Sequence, residues 1–245
     1  MAQITVLADT DLAEPTLVEG LPGVGLVGKI AVDHLIQEFD MTHYANVHCE
    51  GIPRVVVYQE GDAKLAPPVR LYADADHDLL ALQSDVPISP QAAREFAECL
   101  AGWYEDMAIT PLFLSGLPAE KDETPPALTG VAAGDGAARL READIDVPRE
   151  TGLVSGPTGA LLAHAVETDR DAMGLIVESD PQFPDPEAAR IIITEGIQPL
   201  TGIEVPVDDL VDRAEEIRQA KQNLAERMQG AEEESSQARP LRMYQ

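Results

Sequence analysis

The stretch Val18-Glu-Gly-Leu-Pro-Gly-Val-Gly-Leu-Val-Gly-Lys29 decides the fold, because a short apolar segment runs through a glycine-rich turn into an amphipathic one. Residues 16–20 have the character of a buried strand, and residues 25–38 have the periodicity of a helix. Tight strand-to-helix turns of this kind are typical of α/β proteins, in which helices pack on a central sheet. We expect the glycines to allow close packing of backbone in this turn.

Outward from this turn, short apolar segments alternate with amphipathic ones, which predicts an α/β sandwich. The predicted strands are residues 3–8, 16–20, 43–49, 54–58, 69–73, 79–83, 110–115, 128–133, 152–155 and 173–178. The predicted helices are residues 25–38, 89–106, 157–168, 186–197 and 207–230. We therefore assign residues 1–205 to one α/β domain.

The pattern changes after residue 205. A heptad spacing, with alternating steps of four and three, connects Leu210, Ala214, Ile217, Lys221, Leu224 and Met228, although Lys221 and Ala214 make it a weak coiled-coil pattern. An amphipathic helix at 206–234 therefore packs either on its own domain or against a helix of another subunit, and the spacing leaves both open. Residues 235–245 have no periodicity, which predicts a flexible tail.

The charge of the chain is strongly negative, with 44 acidic against 17 basic residues and a net charge of −27. The acidic residues are dispersed and only four lysines are present, which favours a protein of a halophilic cytosol. The alternative is an acidic protein that binds a basic partner, but in such a protein we would expect the acidic residues to be clustered in one segment. No stripe of basic residues is available to neutralise phosphates, so we expect no binding to nucleic acid.

Targeting signals are not evident in the sequence. The apolar run Ile4-Thr5-Val6-Leu7 is too short for a signal peptide, and no run of 18 apolar residues predicts a membrane span. We expect a cytoplasmic protein. Cys49 and Cys99 are far apart and form no CxxC motif, so we expect them to be reduced structural thiols.

The glycine-rich turn also has features of two nucleotide-binding motifs. Gly23, Gly25 and Gly28 satisfy GxGxxG, and Lys29 nearly completes a P-loop, but Ile30 stands where a P-loop needs Ser or Thr for Mg²⁺. Glu50 has the spacing of the acidic residue in a dinucleotide site, although Gly51-Ile52-Pro53 follows it. The two alternatives are a structural turn and a nucleotide-binding loop at residues 23–29, and we favour the first.

Other candidate motifs are incomplete. Asp74-Ala-Asp76-His-Asp78 resembles the first half of a calcium loop, but Leu79 occupies the position that requires glycine. The histidines form no HExxH pattern, and no GxSxG elbow surrounds Ser115 or Ser155. We therefore predict no catalytic residue, no metal site and no cofactor, and expect that the protein is not an enzyme.

Three short motifs together carry a resemblance. Val18 to Gly28, Leu114-Ser-Gly-Leu-Pro118 and Leu153-Val-Ser-Gly-Pro-Thr-Gly-Ala-Leu-Leu162, in this order and spacing, resemble the archaeal proteasome-assembly-chaperone family over about residues 15–200. The resemblance implies a three-layer α/β/α fold akin to nucleoside phosphorylases without their catalysis, and self-assembly into a homo-oligomer. It assigns a structural role to the loop residues Gly20, Pro22, Gly23, Gly25, Gly28, Ser115, Gly116, Pro118, Ser155, Gly156 and Gly159.

The chain ends in Met243-Tyr244-Gln245, a hydrophobic–Tyr–any sequence. This resembles the terminal motif with which proteasome activators dock between α-ring subunits of the core particle. Chance produces it in about one chain in a hundred of this composition, so an inert tail is the alternative. With the family resemblance, it predicts an assembly chaperone or ATP-independent activator whose partner is the α subunits of the proteasome core particle. The rival function is a nucleotide-binding protein, or a phosphorylase-like or hydrolase-like enzyme, that uses the loop at residues 23–29.

Overall fold

A computed structural model describes residues 3–58, 63–104, 107–119 and 125–210. The strands are β1 (Gln3–Val6), β2 (Thr16–Gly20), β3 (Thr42–His48), β4 (Val57–Tyr58), β5 (Leu65–Ala66), β6 (Val69–Asp74), β7 (Leu79–Ser84), β8 (Thr110–Pro118), β9 (Leu128–Ala133) and β10 (Ala172–Ser179). The helices are α1 (Val27–Glu38), α2 (Ala93–Tyr104), α3 (Gly136–Glu142), α4 (Gly156–Glu167), α5 (Pro186–Ile191) and α6 (Gln198–Thr201).

Eight strands form one sheet in the order β1-β3-β6-β7-β2-β8-β10-β9. The four inner strands β7, β2, β8 and β10 are parallel, and the outer strands on both sides are antiparallel to their neighbours. Strands β4 and β5 form a separate two-stranded hairpin. Because the inner strands are parallel, their carboxyl ends meet at one edge of the sheet, where crevices for ligands are usually found in α/β proteins.

Helices cover both faces of the sheet. On one face, helices α1 and α5 bury an apolar cluster that includes Val32, Leu35 and Ile192. On the other face, helices α2 and α4 bury a second cluster that includes Phe96 and Leu161. The predicted α/β/α sandwich is therefore confirmed, with one apolar layer on each side of the sheet.

The acidic turn at residues 74–78 connects β6 to β7. The Asp74 carboxylate accepts hydrogen bonds from the Asp76 amide at 2.8 Å and pairs with the His77 ring at 2.7 Å. The run of leucines that follows is the buried strand β7, as its continuous apolar character predicts for an inner strand. Within the described ranges, no group of three or more His, Cys, Asp or Glu residues is placed to hold a metal ion.

Several predicted boundaries are wrong. Residues 152–155 form no strand: they run as irregular chain into α4, because Gly152 and the residues after it find no neighbouring strand to pair with. The predicted strand 54–58 is reduced to the two residues of β4. Helix α3, which the sequence analysis missed, is only seven residues long, so its periodicity is too short to detect.

The cysteine prediction is also wrong. Cys49, after the end of β3, and Cys99, in α2, form a disulfide with 5.8 Å between their Cα atoms. The two residues are 50 positions apart in sequence, but both lie in the apolar cluster under α2. Their proximity depends on the packing of α2 on the sheet, which spacing along the chain cannot show.

The described chain ends at the beginning of the predicted C-terminal helix. Residues 208–210 are helical, and Leu210, the first heptad residue, is fully buried in the cluster under α1 and α5. The buried His34 ring of α1 also pairs through Nε2 with the Pro206 carbonyl oxygen at 2.6 Å. The start of the helix therefore packs on its own domain. The rest of the predicted helix 206–234 and the tail 235–245 lie outside the described residues.

The acidic surface leads to a prediction on salt. Among the described residues, the buried carboxyl groups are those of Glu19 and Asp185. The other described carboxylates are at least partly exposed, and they repel one another at the surface of the protein. Screening extends over about 10 Å at 0.1 M salt and about 3 Å at 1 M. We expect the protein to lose compactness as salt falls from molar to millimolar. Small-angle scattering and circular dichroism before and after dialysis measure this, and unchanged profiles in dilute buffer would contradict the halophilic interpretation.

Candidate functional site

The three motif loops lie together at the carboxyl edge of the sheet, around one cleft of about 570 Å³. The first loop follows β2, the second is the end of β8, and the third leads into α4. The cleft has a mixed lining of backbone, small polar side chains and apolar groups, and β9 and β10 contribute to one wall. The structure thus brings together segments that are about 90 and 130 residues apart in sequence.

The first loop is a 3-10 turn at residues 24–26, between β2 and α1. Gly25 has a φ of 60°, and a Cβ atom there would collide with the Ser179 hydroxyl at the end of β10. Its carbonyl oxygen accepts a hydrogen bond of 2.8 Å from the amide of Asp185, which caps α5. The turn is therefore fixed against β10 and α5, and only glycine fits at position 25.

The second loop passes directly below the first. A Cβ atom at Gly116 would collide with the carbonyl oxygen of Val24, so the backbones of the two loops are in contact. Ser115 is half-buried and lines the cleft, whereas Pro118 is exposed at the end of β8. This close approach of two backbones leaves no room between them for a bound phosphate.

The third loop ends at Ser155, the extended residue before α4. Gly156 begins the helix with a φ of 70°, and Gly159 packs against the carbonyl oxygen of Val154. In the first turn of α4, Thr158 is buried and points beneath the cleft. The remaining motif residues Gly20, Pro22, Gly23 and Gly28 belong to the first loop and its junctions with β2 and α1, and all but Gly20 line the cleft.

A buried carboxyl group, Glu19 of β2, joins the three loops from below. It accepts hydrogen bonds from the amide of Leu21 at 3.1 Å, the amide of Leu114 at 3.2 Å and the hydroxyl of Thr158 at 3.1 Å. Each donor belongs to a different motif. Burial raises the pKa of Glu19 to about 7, although the three hydrogen bonds act in the opposite direction. Glu19 is not among the predicted site residues: it is an acidic residue inside the apolar strand β2, but the sequence alone does not show its three donors.

Lys29, the residue that nearly completes a P-loop, is held elsewhere. Its Nζ lies 2.9 Å from the Asp33 carboxylate and 3.2 Å from Asp85, and it does not line the cleft. Asp85 also pairs with the buried guanidinium of Arg70 at 2.7 Å. Lys29 thus bridges two carboxylates, one of which it shares with Arg70, and this role accounts for its position without a nucleotide.

We predict that Lys29→Ala does not change the response of the protein to nucleotides. The substitution should lower the free energy of unfolding by about 1 kcal/mol or less, because the ion pairs of Lys29 are partly exposed. Thermal unfolding with and without a panel of nucleotides measures both effects. A nucleotide that stabilises the wild type and fails to stabilise the variant would restore the nucleotide-binding alternative.

Comparison with known proteins identifies the chain. The profile of the PAC2 family matches residues 17–225, which include all three motif loops, Glu19 and most of the described chain. The chain belongs to the PAC2 family. Among its relatives are two uncharacterized proteins of Methanocaldococcus jannaschii. One is 28% identical over 89% of this chain and 89% of its own length, and the other is 25% identical over 94% and 90%.

Solved structures share the fold. Pyrococcus furiosus PbaA, an archaeal homologue of proteasome-assembly chaperone, aligns with a TM-score of 0.79 at 24% identity, covering 95% of both chains. Pyrococcus furiosus PbaB, an archaeal proteasome activator, aligns with a TM-score of 0.78 at 21% identity, covering 91% of this chain and 98% of its own. The described part of this chain therefore has the fold of these PAC2 structures.

Met243, Tyr244 and Gln245 lie beyond the described residues, so their docking role stays a prediction. In the part of the chain that the structure describes, no helix is long and apolar enough to cross a membrane.

Proposed function

We propose that this PAC2 protein binds the proteasome core particle as an assembly chaperone or ATP-independent activator. The observation that carries the proposal is family membership over residues 17–225, with a fold shared with an assembly-chaperone homologue and a proteasome activator. The terminal Met243-Tyr244-Gln245 supplies the docking element. The chain acts by binding and carries out no chemical step of its own.

Each residue of the terminus has a chemical role in this proposal. The free carboxylate of Gln245 pairs with a lysine in a pocket between α subunits, a form of carboxylate capture. The Tyr244 ring fills an apolar slot while its hydroxyl keeps a hydrogen bond. Met243 is an adaptable apolar contact. The eleven residues 235–245, if extended, span at most about 36 Å, which allows the terminus to reach a pocket away from the folded domain.

The position of Lys29 supports a binding protein over the nucleotide-dependent rival, because its ammonium group pairs with Asp33 and Asp85 and does not line the cleft. We place the protein in the cytoplasm, with its partner. The bond between Cys49 and Cys99 is the observation against this placement, because reducing cytosols oppose disulfides.

Co-purification with the core particle in molar salt tests this function. The intact chain should elute with the particle, and the chain lacking Met243 to Gln245 should elute alone with unchanged circular dichroism. The rival predicts no co-elution and a nucleotide that stabilises the protein, by about 2.7 kcal/mol at 100 times its dissociation constant. Intact protein that elutes apart from the particle at every salt concentration would contradict the proposal.

A further inference from the structure

A disulfide attaches the chain that follows β3 to helix α2. Cys49 comes directly after the last residue of β3, and Cys99 lies in the middle of α2, 50 positions later in the sequence. These are the two cysteines of the chain, so no third thiol competes for either sulfur. The pair therefore has two simple states within one molecule, a disulfide and a dithiol.

Helix α2 has other contacts that hold it on the sheet. Its Phe96 and Leu100 are fully buried in the apolar cluster that also contains Cys49. One turn beyond Cys99, the ring of Trp103 packs against the ring of Tyr44 in β3, with 6.3 Å between their centroids. Because a reduced cysteine packs as a small apolar side chain, we expect both thiols to stay in the cluster and α2 to stay on the sheet when the bond is broken.

The chain after Cys49 depends more strongly on the bond. We call residues 49–52 the root of this connection. Residues 53–56 beyond it are exposed, and the hairpin of β4 and β5 does not pair with the eight-stranded sheet. At the root, the amide of Ile52 donates to the carbonyl oxygen of Cys49 at 3.3 Å, and a Cβ atom at Gly51 would collide with the Ala92 side chain. Segments with few buried contacts open locally without unfolding of the domain, so the bond should control how often the root opens.

Small thiols have access to the bond. Cys49 is 6% exposed, but it lines a pocket of about 490 Å³ together with the rest of the root and residues 65–68. Pockets of this size accept drug-sized molecules, so a small thiol has room beside the bond. Cys99 lies on a partly exposed flank of α2. Exchange needs an approach to only one of the two sulfurs, and the structure offers an approach to each.

We propose that the bond between Cys49 and Cys99 is a redox switch, which fastens the root to α2 when oxidised and releases it when reduced. The reductant is a small thiol such as glutathione. One thiolate attacks a sulfur of the pair and forms a mixed disulfide, while the other sulfur leaves and takes up a proton. A second thiolate then attacks the reductant's sulfur in the mixed disulfide, which frees the remaining cysteine. Two electrons and two protons pass to the protein, and the reductant becomes its own disulfide.

The switch goes beyond the proposed function and does not depend on it. The sulfurs join β3 to α2, whereas the proposed docking uses Met243, Tyr244 and Gln245 at the C-terminus. Loss of the switch therefore leaves that docking element in place. A bond that opens in the folded protein also removes the conflict with a reducing cytosol, because the pair is a dithiol there.

Native reduction is the first test. Folded wild-type protein in molar salt is incubated with glutathione buffers set to a reducing or an oxidising ratio, quenched with acid, unfolded and alkylated. Mass spectrometry should count two alkylated cysteines after the reducing buffer and none after the oxidising one, and a change of buffer should reverse the result. Circular dichroism of the reduced protein should match that of the oxidised protein. A bond that stays closed until the domain unfolds would show a purely structural crosslink and overturn the proposal.

The consequence for the root is tested on Cys49→Ala with Cys99→Ala, a permanently open form that needs no reductant. Its melting temperature should be lower by about 5–15 °C. Trypsin should cut after the exposed Arg54, beside the root, about tenfold or more faster than in the oxidised wild type. The control is cleavage after Arg149, which is exposed on an irregular loop outside the segment that the disulfide closes, and its rate should not change.

Three results of this comparison contradict the switch. Equal cleavage after Arg54 in both proteins would mean that the bond does not hold the root. Equally faster cleavage after Arg54 and Arg149 would mean that the whole domain opens. Loss of circular dichroism on reduction of the wild type would mean that the fold itself requires the bond.

Discussion

Replacing Tyr244 with alanine is expected to abolish binding to the proteasome core particle and leave the fold unchanged. Buried aromatic anchors of interfaces typically lose 2 kcal/mol or more on truncation, which weakens binding by about 30-fold or more. The fold should not respond, because the described core is complete by Leu210, 34 residues earlier in the sequence. Co-purification in molar salt measures binding, and circular dichroism measures the fold.

The terminal carboxylate provides a second, independent part of this test. At 1 M salt, screening acts within about 3 Å, so long-range attraction contributes almost nothing and the carboxylate must act by direct contact. Adding one residue after Gln245 should therefore weaken binding, whereas Gln245→Ala, which keeps the carboxylate in place, should bind like the wild type. Full recovery of the Tyr244→Ala protein with the core particle would show that the terminus is inert.

The layered fold could be predicted because its signals are local. The continuous apolar run of β7 and the strand–turn–helix pattern at residues 16–38 each specify one element, and their alternation predicts helices on both faces. The predicted boundaries of helices and strands are wrong where an element is short or where a segment has no neighbouring strand to pair with. Residues 152–155 have strand-like composition, but they lie at the rim of the cleft with no strand to pair with.

The remaining features depend on contacts that one sequence does not display. The bond between Cys49 and Cys99 needs the position of α2 on the sheet, and the cleft needs three loops from distant parts of the chain. The motifs themselves were found, but as separate turns. Glu19, the group that connects them, was not singled out, because a carboxyl group in an apolar strand has no meaning until its three donors are known.

Glu19 is expected to make the protein less stable as pH rises from 4.5 to 7. Its pKa is about 7 in the folded protein, against the ordinary glutamate value of 4.5 that applies to the unfolded chain. Below pH 4.5 both states hold the proton. Between the two values the unfolded chain releases it and the folded protein keeps it, so the free energy of unfolding falls by about 1.4 kcal/mol per pH unit. Above pH 7 the loss levels off at about 3 kcal/mol, the free energy of keeping this carboxylate buried.

Glu19→Gln isolates this contribution. Glutamine resembles the protonated acid, because its oxygen still accepts a hydrogen bond from one backbone amide and its NH₂ group can donate to the Thr158 hydroxyl. The NH₂ group also faces the second amide, that of Leu21 or Leu114, to which it cannot bond. Urea unfolding of wild type and variant from pH 4 to 8 should give a difference in stability that shifts by about 3 kcal/mol in favour of the variant as pH rises. Glu204→Gln removes the same charge from an exposed position and separates loss of charge from loss of the buried group. Parallel pH profiles for wild type and Glu19→Gln would show that the carboxyl group is ionised in the fold, and the three loops would then be held by a charged group.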